Sequence, residues 1–227
     1  LRVRTEGWVQ GLREGVMAAF ADGFQGFGWG TGGLLLLFIL SMKISDQALV
    51  GGIIGPFYLD QGFSKTEIAA ISKVYGIWVG IAGAFLGGIA VVRWGVKYAL
   101  LVGIVLGAIS NLLYLWLIGA NGDLTMLTIV ISGENLAQGF LGTTAVAYLS
   151  ALVNQRYTAT QYALFSSLVT LPGKVLGFYS GRIVEAMGYA PYFWITTVAI
   201  VPAIALFFWL MPRVRLAGEL GEHQDPP

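Results

Sequence analysis

Charged side chains stand inside segments that are otherwise apolar enough to cross a membrane. The run from Leu34 to Phe57 carries Lys43 and Asp46, which are three residues apart and therefore project from about the same side of a helix. A lone charge at the centre of a bilayer costs at least about 2.5–3.5 kcal/mol, so such residues pair or line a watered cavity. The chemistry that this pattern favours is passage of a proton or a charged solute along an intramembrane path.

Polar groups later in the chain extend the same pattern. Glu134 and Gln138 are one helical turn apart, and Lys174 follows the helix-breaking Pro172. The residues predicted to line a substrate or proton path are Lys43, Asp46, Gln47, Glu134, Asn135, Gln138 and Lys174. The structural alternative is that their charges, which sum to zero, form neutralised pairs that only hold the helices together.

Aromatic side chains within the apolar segments offer a second kind of contact. Tyr75, Trp78 and Tyr148 are candidates for stacking on a sugar ring, and the alternative is ordinary packing between helices. Lys73 lies near the end of its segment, where its side chain either snorkels to the lipid headgroups or belongs to the path. For the aromatic residues and for Lys73, the sequence does not decide between a role in binding and the structural alternative.

The composition places the chain among membrane proteins. Of its 227 residues, 56% are hydrophobic and 11% are charged, with a mean hydropathy of +0.75, against about 25% charged in an average soluble domain. The net charge of +1 and the scattered Lys and Arg residues argue against nucleic acid as a partner. The chain has no Cys and therefore no thiol chemistry, and we predict no metal site and no cofactor.

Six spans of about 20 residues or more account for most of the chain. The predicted boundaries are about 33–56, 66–92, 98–119, 124–152, 161–187 and 190–211, within an all-α transmembrane bundle over residues 31–212. Residues 1–30 carry apolar side chains at every fourth position, which predicts an amphipathic lead helix in the membrane interface; a partly disordered Gly-rich lead is the alternative. The polar composition of residues 213–227 predicts a short disordered tail.

Lys and Arg residues near the ends of the spans predict the orientation. Six spans put both termini on one side, and the excess of positive charge marks that side as cytoplasmic. The residues counted there are Arg2, Arg4, Arg13, Arg93, Lys97, Arg156, Arg213 and Arg215. The other side holds Lys65, with Lys73 and Arg182 within helices near it.

The loop between the second and third spans resembles the loop motif of the major facilitator superfamily. Its sequence is GGIAVVRWGVKYALL, in which Gly88, Arg93, Gly95 and Lys97 match the motif. Val92 stands where that family usually has Asp, so the charge relay that this Asp makes in the family has no counterpart at this position. Six spans with such a loop resemble one half of a twelve-helix transporter.

Three polar stretches narrow the resemblance to one group. KISDQAL, SGENLAQGFLGTTAVAYLSAL and NQRYTATQYALFSSL are similar to the AmpG group of bacterial muropeptide permeases, with acetyl-CoA transporters as relatives. The resemblance implies a multi-pass protein of the bacterial inner membrane that imports anhydromuropeptides, which are small anionic sugar-peptides from peptidoglycan recycling, by proton symport. It also implies a C-terminal half whose N-terminal six-helix partner is missing, with residues 1–30 as the end of the linker between halves. The Leu at position 1 fits a fragment or an alternative start codon.

The same sequence features also fit functions other than muropeptide import. A transporter for another anionic solute, such as acetyl-CoA, fits the same polar spans, and a non-transporting scaffold or half-transporter fragment fits a bundle of six. An intramembrane enzyme fits least, because the one His of the chain is His223 in the tail and Asp46 is the one Asp within a predicted span. We therefore predict no enzymatic activity.

Overall fold

The computed structural model describes residues 29–44, 52–152 and 158–214, and every regular element in these ranges is a helix. The first elements are α1 (Trp29–Ser41), α2 (Ile54–Asp60), α3 (Lys65–Ile68), a π-helix (Ala69–Tyr75) and α4 (Gly76–Trp94). The later elements are α5 (Val96–Leu117), α6 (Leu124–Leu152), α7 (Thr158–Met187), α8 (Tyr189–Val198) and α9 (Val201–Leu210). The predicted all-α class is confirmed for this part of the chain.

Some sequence predictions concern residues outside the described ranges. The lead predicted at residues 1–30 is described only at its last two positions, which begin α1, and the tail is described only at its first two positions. Asp46 and Gln47, in the first predicted span, also lie outside the described residues. The division into a lead, a bundle and a tail, with its six span boundaries, therefore stays a prediction.

Three helical stretches are long and apolar enough to cross a membrane, judged by length and composition within the described ranges. They are Lys65–Trp94, Val96–Leu117 and Tyr189–Leu210. The first joins α3, the π-helix and α4, and the third joins α8 and α9. Pro202 fits the first turn of α9, since a residue there has no intrahelical partner for its N–H. The total number of spans in the chain stays a prediction.

One end of the bundle is built around Gln61, in the turn after α2, and we call it the Gln61 end. The backbone N–H of Gly119 donates to Gln61 Oε1 over 2.7 Å, and the N–H of Gly122 donates to the Gln61 carbonyl over 2.9 Å. The hydroxyl of Tyr189, at the start of α8, donates to Asp60 Oδ2 over 2.5 Å. The turns that follow α2, α5 and α7 therefore meet at this end.

The opposite end brings together the start of α5 and the residues after α9. Lys97 Nζ donates to the carbonyl of Met211 over 3.4 Å. Arg213 donates from Nη1 to the carbonyl of Trp209 and lies over the Trp209 ring at 3.9 Å. We call this the Met211 end.

Helix boundaries follow local backbone chemistry. At Ser64 a capping box starts α3: the Glu67 N–H donates to Ser64 Oγ over 3.2 Å, and the Ser64 N–H donates to Glu67 Oε2 over 2.8 Å. Asp123 Oδ1 accepts from the N–H of Thr125 over 2.8 Å and so satisfies a free donor at the start of α6. Gly95, at φ +79°, separates α4 from α5 in a conformation that a side chain would strain.

A glycine seam, formed by Gly80, Gly83 and Gly87 of α4 and Gly139 of α6, lets these two helices touch backbone to backbone. A Cβ atom added at Gly83 would overlap the Leu136 carbonyl, and one added at Gly139 would overlap the Gly80 carbonyl. Such close approach maximises van der Waals contact between helices, which is the main attraction available inside a bilayer.

Large side chains fill the bundle elsewhere. An aromatic cluster at the Gln61 end joins α2, α5 and α8 and consists of Phe57, Tyr58, Tyr114, Tyr189 and Phe193. A second cluster, mainly aliphatic, runs toward the Met211 end and joins α1, α5, α6 and α9 through residues such as Phe38, Leu100, Leu149 and Phe207. The outer face of α4 is exposed, with 71% of Phe85 and 89% of Val92 accessible, which suits contact with lipid or with another chain.

Candidate polar site between α4 and α6

The centre of the candidate site is a carboxylate held by a neighbouring amide on α6. Asn135 Nδ2 donates to Glu134 Oε2 over 3.0 Å and to the carbonyl of Ile131 over 2.9 Å. These two bonds use both N–H groups of the amide, so its orientation is set by the helix backbone. Both residues are half-buried, as is Gln138 one turn further on. The predicted polar face of this helix therefore carries an oriented acid that is partly shielded from solvent.

The π-helix contributes a polar contact to α6 just before Glu134. The hydroxyl of Tyr75, the last residue of the π-helix, lies 2.9 Å from Ser132 Oγ. Ser132 Oγ donates its proton to the carbonyl of Thr128 over 2.6 Å, so the Tyr75 hydroxyl is the donor to Ser132. The structure thus joins Tyr75 to the turn that precedes Glu134.

Two buried tyrosines close the site toward the Gln61 end. The hydroxyl groups of Tyr58 and Tyr114 hydrogen-bond to each other, and Glu134 is near enough to act electrostatically on Tyr58. Both rings are 2% exposed and pack in the aromatic cluster. The acid therefore lies at the border between the aromatic cluster and the α4–α6 contact.

Sequence reasoning missed Tyr58 and Ser132 as members of this site. Ser132 is the first polar residue of the run Ser-Gly-Glu-Asn, so the run itself was a usable signal. Tyr58 had no such signal, because it comes from another helix and the electrostatic influence of Glu134 on it depends on tertiary packing.

The other predicted path residues are spread over the bundle. Lys43 is half-buried in the turn after α1, and Lys174 is exposed on α7. Asp46 and Gln47 lie outside the described residues. The structure therefore brings Glu134 and Asn135 together with Tyr75, whereas a common path that also includes Lys43 and Lys174 stays a prediction.

The three candidate aromatic contacts differ in their surroundings. Trp78 is 70% exposed, and Tyr75, one turn before it, is 42% exposed. Tyr148 is buried in the cluster near the Met211 end, where its ring meets Phe38 edge to face at 5.7 Å. Tyr75 and Trp78 are thus accessible to a ligand, and Tyr148 packs between helices.

The loop motif residues lie at the Met211 end. Gly95 makes the sharp turn between α4 and α5, and Lys97 is half-buried with its ammonium group on the Met211 carbonyl. Arg93 is exposed and borders an open apolar groove along α4 that also includes Gly88. Lys97 therefore ties the loop to the residues after α9. No trio of His, Cys, Asp or Glu side chains within the described ranges could hold a metal ion.

The apolar helices and the half-buried acid define the class of this protein as a helical membrane protein with polar side chains between its helices. A protein from Rickettsia conorii named "Putative transporter AmpG 4" is 33% identical over 182 residues, which is 80% of this chain and 44% of the relative. "Putative transporter AmpG 3" from Rickettsia prowazekii is 31% identical over 77% of this chain and 41% of its own length. An uncharacterized protein from Haemophilus influenzae is 37% identical over 78% of this chain and 43% of the relative.

These matches confirm the resemblance drawn from the sequence. Over the aligned four-fifths of its length, the chain is similar to relatives that are named as putative AmpG transporters. It spans less than half the length of the curated relatives that it matches. No protein-family model matches the chain.

Proposed function

We propose that the chain is one half of a proton-coupled transporter that imports anhydromuropeptides across the bacterial inner membrane. The observation that supports this best is the half-buried Glu134 carboxylate, held by the Asn135 amide inside a bundle of apolar helices. A charge in that environment is costly, so its presence favours a function that uses it. The relatives named as transporters support the same class of activity.

The contacts at the two ends of the bundle support six crossings. The turns after α2, α5 and α7 meet at the Gln61 end, whereas the turn between α4 and α5 and the residues after α9 meet at the Met211 end. A chain that alternates between two ends in this way crosses the bundle repeatedly, as a major facilitator half would. Both termini would then be cytoplasmic, at the Met211 end, where Arg93, Lys97 and Arg213 lie.

A half-bundle needs a partner to enclose a path. The chain covers 44% of the Rickettsia conorii relative, which supports a missing second half as that partner. In the proposal this partner is an N-terminal six-helix half, and the present chain is the C-terminal half. Alternating access would then come from rocking of the two halves around a site near the middle of the membrane. The exposed outer face of α4 is available to such a partner or to lipid.

The site residues have distinct proposed roles. Glu134 and Asp46 would bind and release the coupled proton, and Lys43 and Lys174 would bind substrate carboxylates or neutralise these acids. The accessible rings of Tyr75 and Trp78 would stack on the sugar. These roles need neither a cofactor nor an enzymatic reaction.

The test is uptake of labelled anhydromuropeptide into membrane vesicles with an imposed proton gradient. The chain is assayed alone and within the longer transporter proposed here. Glu134→Gln and Asp46→Asn keep the shape of each side chain but cannot carry a proton, so each is expected to lower gradient-driven uptake at least tenfold. The control is Glu185→Gln, which changes an exposed carboxylate on α7 and is expected to leave uptake unchanged.

Three other outcomes would overturn parts of the proposal. Uptake that is unaffected by both substitutions removes these acids from the coupling step. Absence of uptake by a correctly inserted full transporter rejects the muropeptide substrate and leaves another anionic solute, such as acetyl-CoA, or a scaffold role. Full activity of the chain by itself would contradict the need for an N-terminal half.

A further inference from the structure

The Asn135 amide, which holds Glu134, is in close contact with the start of α4. Gly76, the buried first residue of α4, faces the side chain of Asn135. A Cβ atom at position 76 would lie 3.0 Å from Asn135 Nδ2, 3.2 Å from its Cγ and 3.3 Å from its Oδ1. These distances are shorter than ordinary van der Waals contacts, so the amide would have to shift by a few tenths of an ångström to admit a Cβ atom at position 76.

The backbone around Gly76 is fixed by the preceding π-helix. The N–H of Gly76 donates to the carbonyl of Ile71, five residues earlier, which is the π-helical bond. The Tyr75–Ser132 hydrogen bond fastens the adjoining residue to α6 at 2.9 Å. Two contacts on consecutive residues therefore set how closely α4 approaches Asn135, and π-helical turns are frequent at functional sites.

We infer that Gly76 is a positioning residue, which holds the Asn135 amide against the Glu134 carboxylate by leaving room for it at the end of the π-helix. The inference rests on the proposed function, in which Glu134 carries the coupled proton. Gly76 touches neither substrate nor proton in this arrangement and acts through Asn135. Gly76 contributes to the site by having no side chain, so a search of the sequence for polar residues does not find it.

The first measurement is independent of transport and follows the labelling of Glu134 by a membrane-permeant carbodiimide, read by mass spectrometry of the peptide. In Gly76→Ala the new methyl group displaces the amide by a few tenths of an ångström, which weakens its bond to the carboxylate. Asn135→Ala removes the amide altogether. We expect both variants to raise the labelling rate of Glu134 at least threefold, because the amide covers the carboxylate oxygen less in Gly76→Ala and not at all in Asn135→Ala.

Gly142→Ala is the matched control, since a Cβ atom at that position of α6 meets nothing within 4 Å. Its labelling rate is expected to equal that of the unchanged chain. The double variant Gly76→Ala with Asn135→Ala should label like Asn135→Ala alone, because the first change acts only through the amide. If Gly76→Ala alone fails to fold, the double variant still tests the idea, since removing the amide makes room for the methyl group and should restore folding.

The second measurement separates positioning from a general loss of structure. In the transport assay, Gly76→Ala should lower the maximal uptake rate about tenfold and leave the substrate concentration at half-maximal uptake unchanged. Unchanged labelling of Glu134 in Gly76→Ala, or effects of the two substitutions that multiply, would overturn the inference even where uptake is normal. Altered labelling without any muropeptide uptake by the unchanged transporter would instead support the positioning role and reject the proposed substrate.

Discussion

The α4–α6 contact and the aromatic cluster solve the same packing problem in opposite ways. Along the glycine seam the helices meet through backbone atoms, with Gly83 against Leu136 and Gly139 against Gly80. In the aromatic cluster the helices stay apart, and rings such as Phe193 and Tyr114, stacked at 5.2 Å, fill the space. The first region should therefore tolerate no added atoms, and the second should tolerate no lost ones.

The polar site lies where the glycine seam and the aromatic cluster meet, so both kinds of packing contribute to it. The close approach of α4 brings Tyr75 and Gly76 onto Ser132 and Asn135. The aromatic cluster supplies Tyr58, on which the charge of Glu134 acts. A change in either region should reach the acid, but by different routes: helix separation in one case and a cavity in the other.

The largest expected effect is that of Gly139→Ala. The added methyl group would overlap the Gly80 carbonyl, so α4 and α6 must move apart along the whole seam. We expect an exceptional loss of about 4 kcal/mol or more in the free energy of unfolding, because a backbone atom cannot give way as a side chain can; the loss is followed as a lower temperature at which the monodisperse species in detergent disappears. Gly142→Ala, three residues later and in open space, should change it by less than about 0.5 kcal/mol. Equal stability of the two variants would contradict the backbone contact.

A smaller loss is expected when the aromatic cluster is emptied by Phe193→Ala. The ring is fully buried and meets Phe57 at 5.0 Å and Tyr114 at 5.2 Å. The cavity should lower the free energy of unfolding by about 3 kcal/mol, the low end for loss of a buried Phe ring, in the same assay. The control is Phe208→Ala on the exposed face of α9, where little packing is lost. If the two variants lose equal stability, the aromatic cluster does not contribute as the structure indicates.

The smallest expected effect is that of Tyr189→Phe at the Gln61 end. It removes the hydroxyl that donates to Asp60 Oδ2 and keeps the ring that packs on Phe57 at 4.7 Å. The free energy of unfolding should fall by about 1 kcal/mol. Tyr98→Phe, which alters an exposed hydroxyl on α5, is the control and should have no measurable effect. A loss as large as that of Phe193→Ala would mean that the hydrogen bond organises the whole cluster.

The sequence alone was sufficient to predict the class of protein and to identify Glu134, the acid at the centre of the site. Long unbroken apolar runs indicate helices, because in a bilayer each helix satisfies its own backbone groups. The i and i+4 spacing of Glu134 and Gln138 already put both residues on one face of α6. Periodicity and composition are local properties, so one sequence carries them without reference to the rest of the fold.

Only the tertiary structure decided which residues contact the polar face of α6. Tyr75 and Ser132 are 57 residues apart in the chain, and Gly76 and Asn135 are separated even further, so no local pattern pairs them. Tyr148 shows the same limit, since its sequence position allowed stacking on a sugar but its ring packs against Phe38 inside the bundle. Contacts between helices depend on how closely the backbones approach, and here glycines that carry no side chain control that approach.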